Sequence, residues 1–404
     1  MFGKWWRDID STGPVGLIVV ALAGIYGASI ANLLPSYVAA WVLHLRMTER
    51  IAGEIASANM LAHAAGLSAT LYLVTRWSLP RIAYTGLLLG VAGDLASIMA
   101  TGAWTLAPCR MLSGVGLGLQ FGTVINWISR NSNSTRGFGL YILLQFILSA
   151  LFFVVLPAFE SAVGPSAIYL GVMPFALLAA ICLVVLNLNG GSVPLPQLDR
   201  SASAQSLAGT QPLAGAQRFV RLHKLLAVVA FAAFNIAALG TWAFMQQFGE
   251  STGLSSQAAS RSLALCSLAG IAGALIVIAA GSRFGRLVPL IVTLSFFAAP
   301  FAVFAFTSPS PAIFVTGQVF TGLTWTMIVP YFEDIQSALD RTGRLAVLGM
   351  VAATVASAAG PGAFGFLVDH GGDYRHAFMF ALLAFAASAL CSIYPGKAAD
   401  ARRP

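Results

Sequence analysis

Three ionisable residues stand inside otherwise apolar stretches of this chain: Glu54, Asp94 and Arg110. A charge within a membrane span is costly, so each is a candidate for function by default. At ~1.5 Å of rise per residue, all three are expected at a similar depth, towards the face opposite the chain termini. Two readings stay open. In the first, Asp94 or Glu54 pairs with Arg110 and locks a helical bundle together, because an unpaired buried charge costs several kcal/mol. In the second, Arg110 faces a central cavity and alternates between an acid and an anionic substrate. The acid's proton then comes and goes with that exchange.

Polar and aromatic residues recur at helical spacing further on. Asn235, Leu239, Trp242 and Gln246 form one stripe, and Gln318, Gly322 and Trp325 form another. A cation and an amide flanked by two indoles suit a carboxylate on an apolar or aromatic body. Packing is the alternative role for the two tryptophans. Tyr26 and Tyr37 share a face, eleven residues apart, and Tyr141 and Gln145 lie one turn apart. All four are candidate lining residues, whereas Asn32 falls off the Tyr26–Tyr37 stripe. His63 reads as a polar core contact. Asp369, His370, Asp373 and His376 read as a solvated loop, and Cys109, Cys182, Cys266 and Cys391 as buried free thiols. No nucleotide loop of the G-x-x-x-x-G-K-[ST] type occurs, and no convincing H-E-x-x-H or G-x-S-x-G site is seen. The expectation is a non-enzyme without a cofactor or bound metal.

The elements that must position these residues follow from composition. Of 404 residues, 58% are hydrophobic and 9% are charged, against roughly 25% charged in soluble proteins. Mean hydropathy is +0.83. A soluble fold of this size could not cover its surface so sparsely. Apolar runs long enough for a ~20-residue span fall at about 15–43, 51–75, 80–101, 104–128, 137–160, 165–187, 223–249, 257–281, 287–307, 311–333, 345–368 and 374–395. This is an all-α polytopic membrane protein with twelve transmembrane helices. Residues 1–187 form one six-helix bundle and 223–404 the other. Residues 188–222, rich in Gly, Ser, Pro and Gln, form a cytoplasmic linker.

With both termini in the cytoplasm, seventeen of the 22 Lys and Arg fall in inside segments and four outside, with Arg110 inside a span. The net charge of +8 is therefore a topology signal, and no nucleic acid partner is expected. The two halves repeat at an offset of about 208: Arg136 with Arg344, Gly114 with Gly322, and, at 207, Gly66 with Gly273 and Arg76 with Arg283. A duplicated bundle implies a binding site between the halves.

These residues resemble the major facilitator superfamily. Arg110-Met-Leu-Ser-Gly114-Val-Gly116-Leu-Gly118 resembles its fourth-helix R-x-x-x-G-x-G pattern. Gly281-Ser-Arg283-Phe-Gly285-Arg286 resembles its G-x-x-x-D-R-x-G-R loop, with Ser282 where the family has Asp. The counterpart loop around Arg76 is degenerate. Arg283 and Arg286 are expected to meet Glu333, Asp334 or Asp340 instead. Gly360-Pro361-Gly362 lies on the eleventh helix, whereas the family's exporters carry G-P-x-x-G on the fifth. The resemblance implies that helices 1, 4, 7 and 10 line the cavity, so Arg110 and Gln318 are expected to face each other across it. It also places the second helix near the pathway, which makes Glu54 the first proton candidate and Asp94 the second.

The expected function is proton-coupled symport of a small organic anion by alternating access. The alternative is a proton-antiport exporter of drugs or metabolites. A membrane-embedded enzyme is the rival from another class, without visible catalytic residues. The expected partners are the small-molecule substrate, protons and the lipid bilayer. The chain is read as a monomer in a bacterial inner membrane.

Overall fold

The computed structural model describes residues 14–129, 134–188, 214–280, 283–340 and 344–401. The central part of the expected linker, Gly281, Ser282 and several residues counted for topology, Lys4 and Arg7 among them, lie outside these residues. Every regular element among the described residues is a helix. In the first half these are α1 (Pro14–Ala23), α2 (Ile25–Asn32), α3 (Leu34–Leu45), α4 (Glu49–Leu73), α5 (Leu79–Ile98), α6 (Ala103–Ser129), α7 (Ser134–Val163), α8 (Ala167–Gly171) and α9 (Met173–Leu188). In the second they are α10 (Ala214–Ala243), α11 (Met245–Ser251), α12 (Ser256–Ala280), α13 (Leu287–Phe306), α14 (Pro311–Leu339), α15 (Arg344–Gly371) and α16 (Arg375–Asp400).

Nine of the described segments are long and apolar enough to cross a membrane, or ten with the bent pair α1–α2. One of the nine, 137–186, holds two expected spans, which turn at Gly164 with φ +70°. The expected second span, α4, is missing from that set because Asn59, His63 and several Ser, Thr and Gly keep even its charge-free part, 55–72, only weakly apolar. The helices thus match a twelve-span architecture in two related bundles.

The first span differs from the single helix that its hydropathy predicts. It is broken at Gly24, where α1 and α2 meet at 49°, and again at Leu33. Breaks in a helix leave backbone groups to satisfy. At the first, Gln120 Nε2 donates to the Ala23 carbonyl at 3.0 Å, and Tyr141 Oη to the Gly24 carbonyl at 3.0 Å. At the second, Pro35 has no N–H to offer the Ala31 carbonyl four residues earlier. The indole of Trp242, from the other half, donates to it at 3.0 Å.

Glycines set how closely the helices approach. A Cβ on Gly66 would meet the Val115 carbonyl, and one on Gly273 would meet the Leu323 carbonyl. Gly114 sits likewise against the Asn59 carbonyl, and Gly322 against that of Cys266. Both pairs of contacts map onto each other at the offset of 207–208, so the duplication is geometric as well as sequential.

The halves meet along one part of their length. Four hydrogen bonds join described residues across them. They are Ser36 Oγ to Gln246 Oε1, Trp242 Nε1 to Ala31 O, Ser260 Oγ to Phe153 O, and Gly362 N to Ser57 Oγ. All lie between the middle of the spans and the face carrying loops 46–48 and 252–255. There α4 and α15 touch backbone to backbone, with Gly53 against the Pro361 carbonyl and Gly365 against that of Glu49. The Gly-Pro-Gly stretch of the eleventh span is part of this joint.

Gly118→Ala puts a methyl group onto the His63 carbonyl. It is expected to cost about 1–3 kcal/mol of stability, read as a lower melting temperature in detergent. Gly139→Ala, on α7 with nothing within 4 Å of the added methyl, does not lower the melting temperature.

Candidate functional site

Asp94 and Arg110 are both fully buried and form an ion pair, Nη1 to Oδ1 at 2.5 Å. Burial of such a pair is tolerable only when the remaining donors and lone pairs are matched. Here they largely are. Tyr26 Oη donates to Asp94 Oδ2 at 2.6 Å, and Ser113 Oγ to Oδ1 at 2.8 Å. Arg110 Nη2 donates to Asn59 Oδ1 at 3.1 Å, while Asn59 Nδ2 returns a bond to the Arg110 carbonyl. The guanidinium also lies over the ring of Tyr37, with Cζ 4.6 Å from its centroid, and near Tyr169 and Trp41 at 5.7 and 5.9 Å. The cluster is enclosed within the first bundle.

A separate cavity of about 130 Å³ lies between the halves, at the inner end of their joint. Trp242, Trp325, Phe146, Phe297 and Phe301 give it an aromatic wall. Its polar residues are Asn32, Ser149, Thr241, Ser267 and Thr321, and no charged residue lines it. Most of these polar groups already bond within the protein. Ser267 and Thr321 donate to carbonyls one turn back, and Asn32 Nδ2 donates to Gln145 Oε1 at 3.0 Å. Trp325 Nε1–H and the Ser149 hydroxyl have no hydrogen bond among the described residues, so they remain for a ligand.

The structure separates the residues that sequence brought together. Trp242 and Trp325 line the cavity, and Gln145 touches it through Asn32. Arg110 and Gln318 occupy equivalent places at the offset of 208, but they do not face each other across the cavity. Each is 0% exposed inside its own bundle, where Arg110 is tied to Asp94 and Gln318 Nε2 to Met245 Sδ at 2.9 Å. Charge pairing inside the bundle is the reason: a guanidinium turned to an apolar cavity would lose its counter-ion. Tyr26 and Tyr37 point into the same cluster instead of the cavity. Tyr141 seals the Gly24 break. Asn235 is buried against Ser357 at 3.2 Å. Glu54 is half-exposed and paired with Arg50 at 2.9 Å, at neither the cavity nor the cluster. Asn32, Ser149 and the phenylalanines belong to the wall but not to the sequence expectation. Cys266, across from Gly322, could have been found through the repeat.

At the opposite face the loop residues stay within the second half. Arg286 Nε donates to Asp334 Oδ2 at 2.9 Å, as the sequence suggested. Asp400 adds what the sequence did not, accepting from the backbone N–H of Arg286 and Leu287 at the start of α13. Gly285, with φ +89°, turns the chain just before Arg286. Arg283 is exposed, and Arg76 stacks over Tyr72 at 4.4 Å.

Asp94→Asn or Arg110→Gln alone is expected to cost about 3–5 kcal/mol, because each strands a buried partner. The double variant leaves no charge to bury and is expected to recover most of that loss. Thermal melting of the four proteins checks it; a double variant no more stable than the singles would contradict the pairing argument.

Comparison with known proteins agrees with this architecture. The family model described as Major Facilitator Superfamily matches residues 18–335. No curated protein matches the chain in sequence. Among solved structures, a D-xylose-proton symporter aligns with a TM-score of 0.72 at 13% identity, over 93% of this chain and 95% of that one. A POT family transporter in complex with a thioalcohol-conjugated peptide aligns at 0.69 and 12% identity, over 98% and 100%. The nucleoside transporter NupG aligns at 0.70 and 13% identity, over 95% and 99%. At these identities the likeness is one of fold. The chain is an integral, multi-pass membrane protein, and it belongs to the major facilitator superfamily.

Proposed function

We propose that this chain is a proton-coupled secondary transporter of a small organic solute, working by alternating access. The cavity between the halves is its binding site, and Asp94, within its cluster, is its proton site. The carrying observation is the cavity wall: aromatic, without a charged residue, and set at the inner end of the joint between two related bundles. Such a wall suits a solute with an aromatic or apolar body and few polar groups. Trp325 Nε1–H would meet an acceptor on it, and the Ser149 hydroxyl a second polar group. Proton coupling is supported by Asp94 itself, a carboxylate enclosed deep in the spans, where ionisable groups mark proton relays and ion pathways. With both termini in the cytoplasm, the closed joint faces outwards. The protein is not an enzyme in this reading, acts as a monomer, and sits in a bacterial inner membrane.

An organic anion is the second reading, and the ion pair itself supports it. A proton on Asp94 cancels the carboxylate charge and leaves the guanidinium unmatched. The first bundle would then attract an anion only when protonated, which ties anion and proton movement together. The exporter reading draws on the same aromatic wall and on the sequestered Arg110, but lacks an acid facing the cavity.

Purified protein in liposomes with an internal pH dye separates these readings. Uncharged aromatic solutes bearing one acceptor are expected to acidify the interior beyond protein-free liposomes, and Trp325→Ala to reduce that flux roughly tenfold or more. Signals from carboxylates alone would replace the solute class with anions. Proton efflux from acid-loaded liposomes driven by lipophilic cations would replace symport with export.

A further inference from the structure

A second cavity, of about 40 Å³, lies inside the first bundle. It shares no lining residue with the central one. Its mouth is formed by Ala100, Pro165 and Ser166, in the turns after α5 and α7 on the face where the halves are joined. His44 stands in its wall and pairs with Glu160, Nε2 to Oε1 at 2.5 Å. Ser97, one turn along α5 from Asp94, is also in the wall. The floor is Trp41 and Tyr169, joined by Trp41 Nε1 donating to Tyr169 Oη at 2.9 Å.

Behind that floor lies the ion pair. The same Trp41 and Tyr169 rings pack within 6 Å of Arg110 Cζ on their other side. Two polar atoms at this place have no partner in spite of full burial: Tyr37 Oη and Arg110 Nε. Buried polar groups are nearly always satisfied, by ordered water where protein is lacking. Their side chains lie against each other, and the cavity beyond the floor exceeds the ~10–15 Å³ that one water needs. Water in the cavity and water at the orphaned atoms would lie on opposite sides of the Trp41–Tyr169 floor.

We infer that protons reach Asp94 through this cavity, from the face that closes over the substrate site, and not through the central cavity. The inference rests on the reading of Asp94 as the proton site. A proton collected at the His44–Glu160 rim passes along water past Tyr169 and bonds to a carboxylate oxygen of Asp94. The guanidinium keeps its charge throughout. The titratable groups about Asp94 are Tyr26 and Tyr37 from the first span, Arg110 from α6 and Tyr169 from α8, with Cys109 beside Tyr169. Asp94 is the only carboxylate among them. The separate route lets the proton exchange while the joint between the halves is shut.

Infrared spectroscopy of the full-length protein in a perfused lipid film tests this without a known substrate. Acidification is expected to raise the carbonyl band of a protonated carboxyl group, and Asp94→Asn to remove that band. Ala100→Trp and Ser166→Trp, made separately to fill the mouth, are expected to keep the band but slow its rise roughly tenfold. Ser267→Trp, which fills the central cavity, is expected to leave the rate within about twofold. A band that never appears, or that persists in Asp94→Asn, overturns Asp94 as the proton site. A band that belongs to Asp94 yet rises at the unmodified rate in both plugged variants, or slows in Ser267→Trp instead, overturns the route alone.

Discussion

The Asp94–Arg110 pair is fully buried, away from lipid and bulk solvent, and the first bundle is arranged around that fact. Five of its six spans contribute a group: Tyr26, Tyr37 and Trp41 from the first, then Asn59, Asp94, Arg110 with Ser113, and Tyr169. Each supplies a hydrogen bond or a ring face to one of the two charges. The pair therefore fixes the relative rotation of five helices, because turning any of them would expose a charge to an apolar surround. Close approach makes this possible. Gly93 lies against the backbone of Ser113, and Gly114 against that of Asn59, which brings short side chains within reach of one another.

The second bundle repeats the scaffold with different chemistry. At the offset of 208, Tyr26 becomes Phe234, Tyr37 becomes Met245, Arg110 becomes Gln318 and Ser113 becomes Thr321. Gln318 still reaches the residue equivalent to Tyr37, through Met245 Sδ. Where the first bundle holds an ion pair, the second holds packed aromatic rings: Phe234 lies tilted against Phe297 and Trp325, with centroids 5.4 Å away in each case. The same duplicated frame thus provides a charged core on one side and an aromatic one on the other. The central cavity draws its wall mainly from the aromatic side.

Hydropathy and glycine landmarks made the spans, the repeat and the family resemblance legible, since both are local properties of sequence. The buried pair was also legible as one of two readings, because Asp94 and Arg110 share a depth. Azimuth was not. A residue's height along a helix follows from counting, but the side it presents depends on neighbouring helices and on breaks. The two breaks in the first span moved Asn32 into the cavity wall although periodicity placed it elsewhere. Tyr26 and Tyr37 do lie towards a common partner, as their spacing implied, but that partner is the inside of the bundle. Trp242 and Trp325 fell where the stripes put them. Asp334 was within reach as a partner of Arg286, whereas Asp400, 114 residues away along the chain, leaves no trace in local pattern.

The joint between the halves has a mechanical meaning. Four neutral hydrogen bonds and a seam of glycine backbone hold it, with no ion pair across it among the described residues. At ~0.5–1.5 kcal/mol each, those bonds come to a few kcal/mol in all. That is the scale on which differential ligand affinity reverses a two-state equilibrium, ~5.5 kcal/mol for a swing from 1:99 to 99:1. The glycine seam between α4 and α15 carries little side-chain bulk to disentangle as it parts, and larger groups that cross the joint, such as Trp242 on Phe153 and Arg50 on Phe366, meet by ring contacts. In the proposed alternating-access cycle, the ion pairs stay within single bundles, while the surface that would open and close is built from weak contacts.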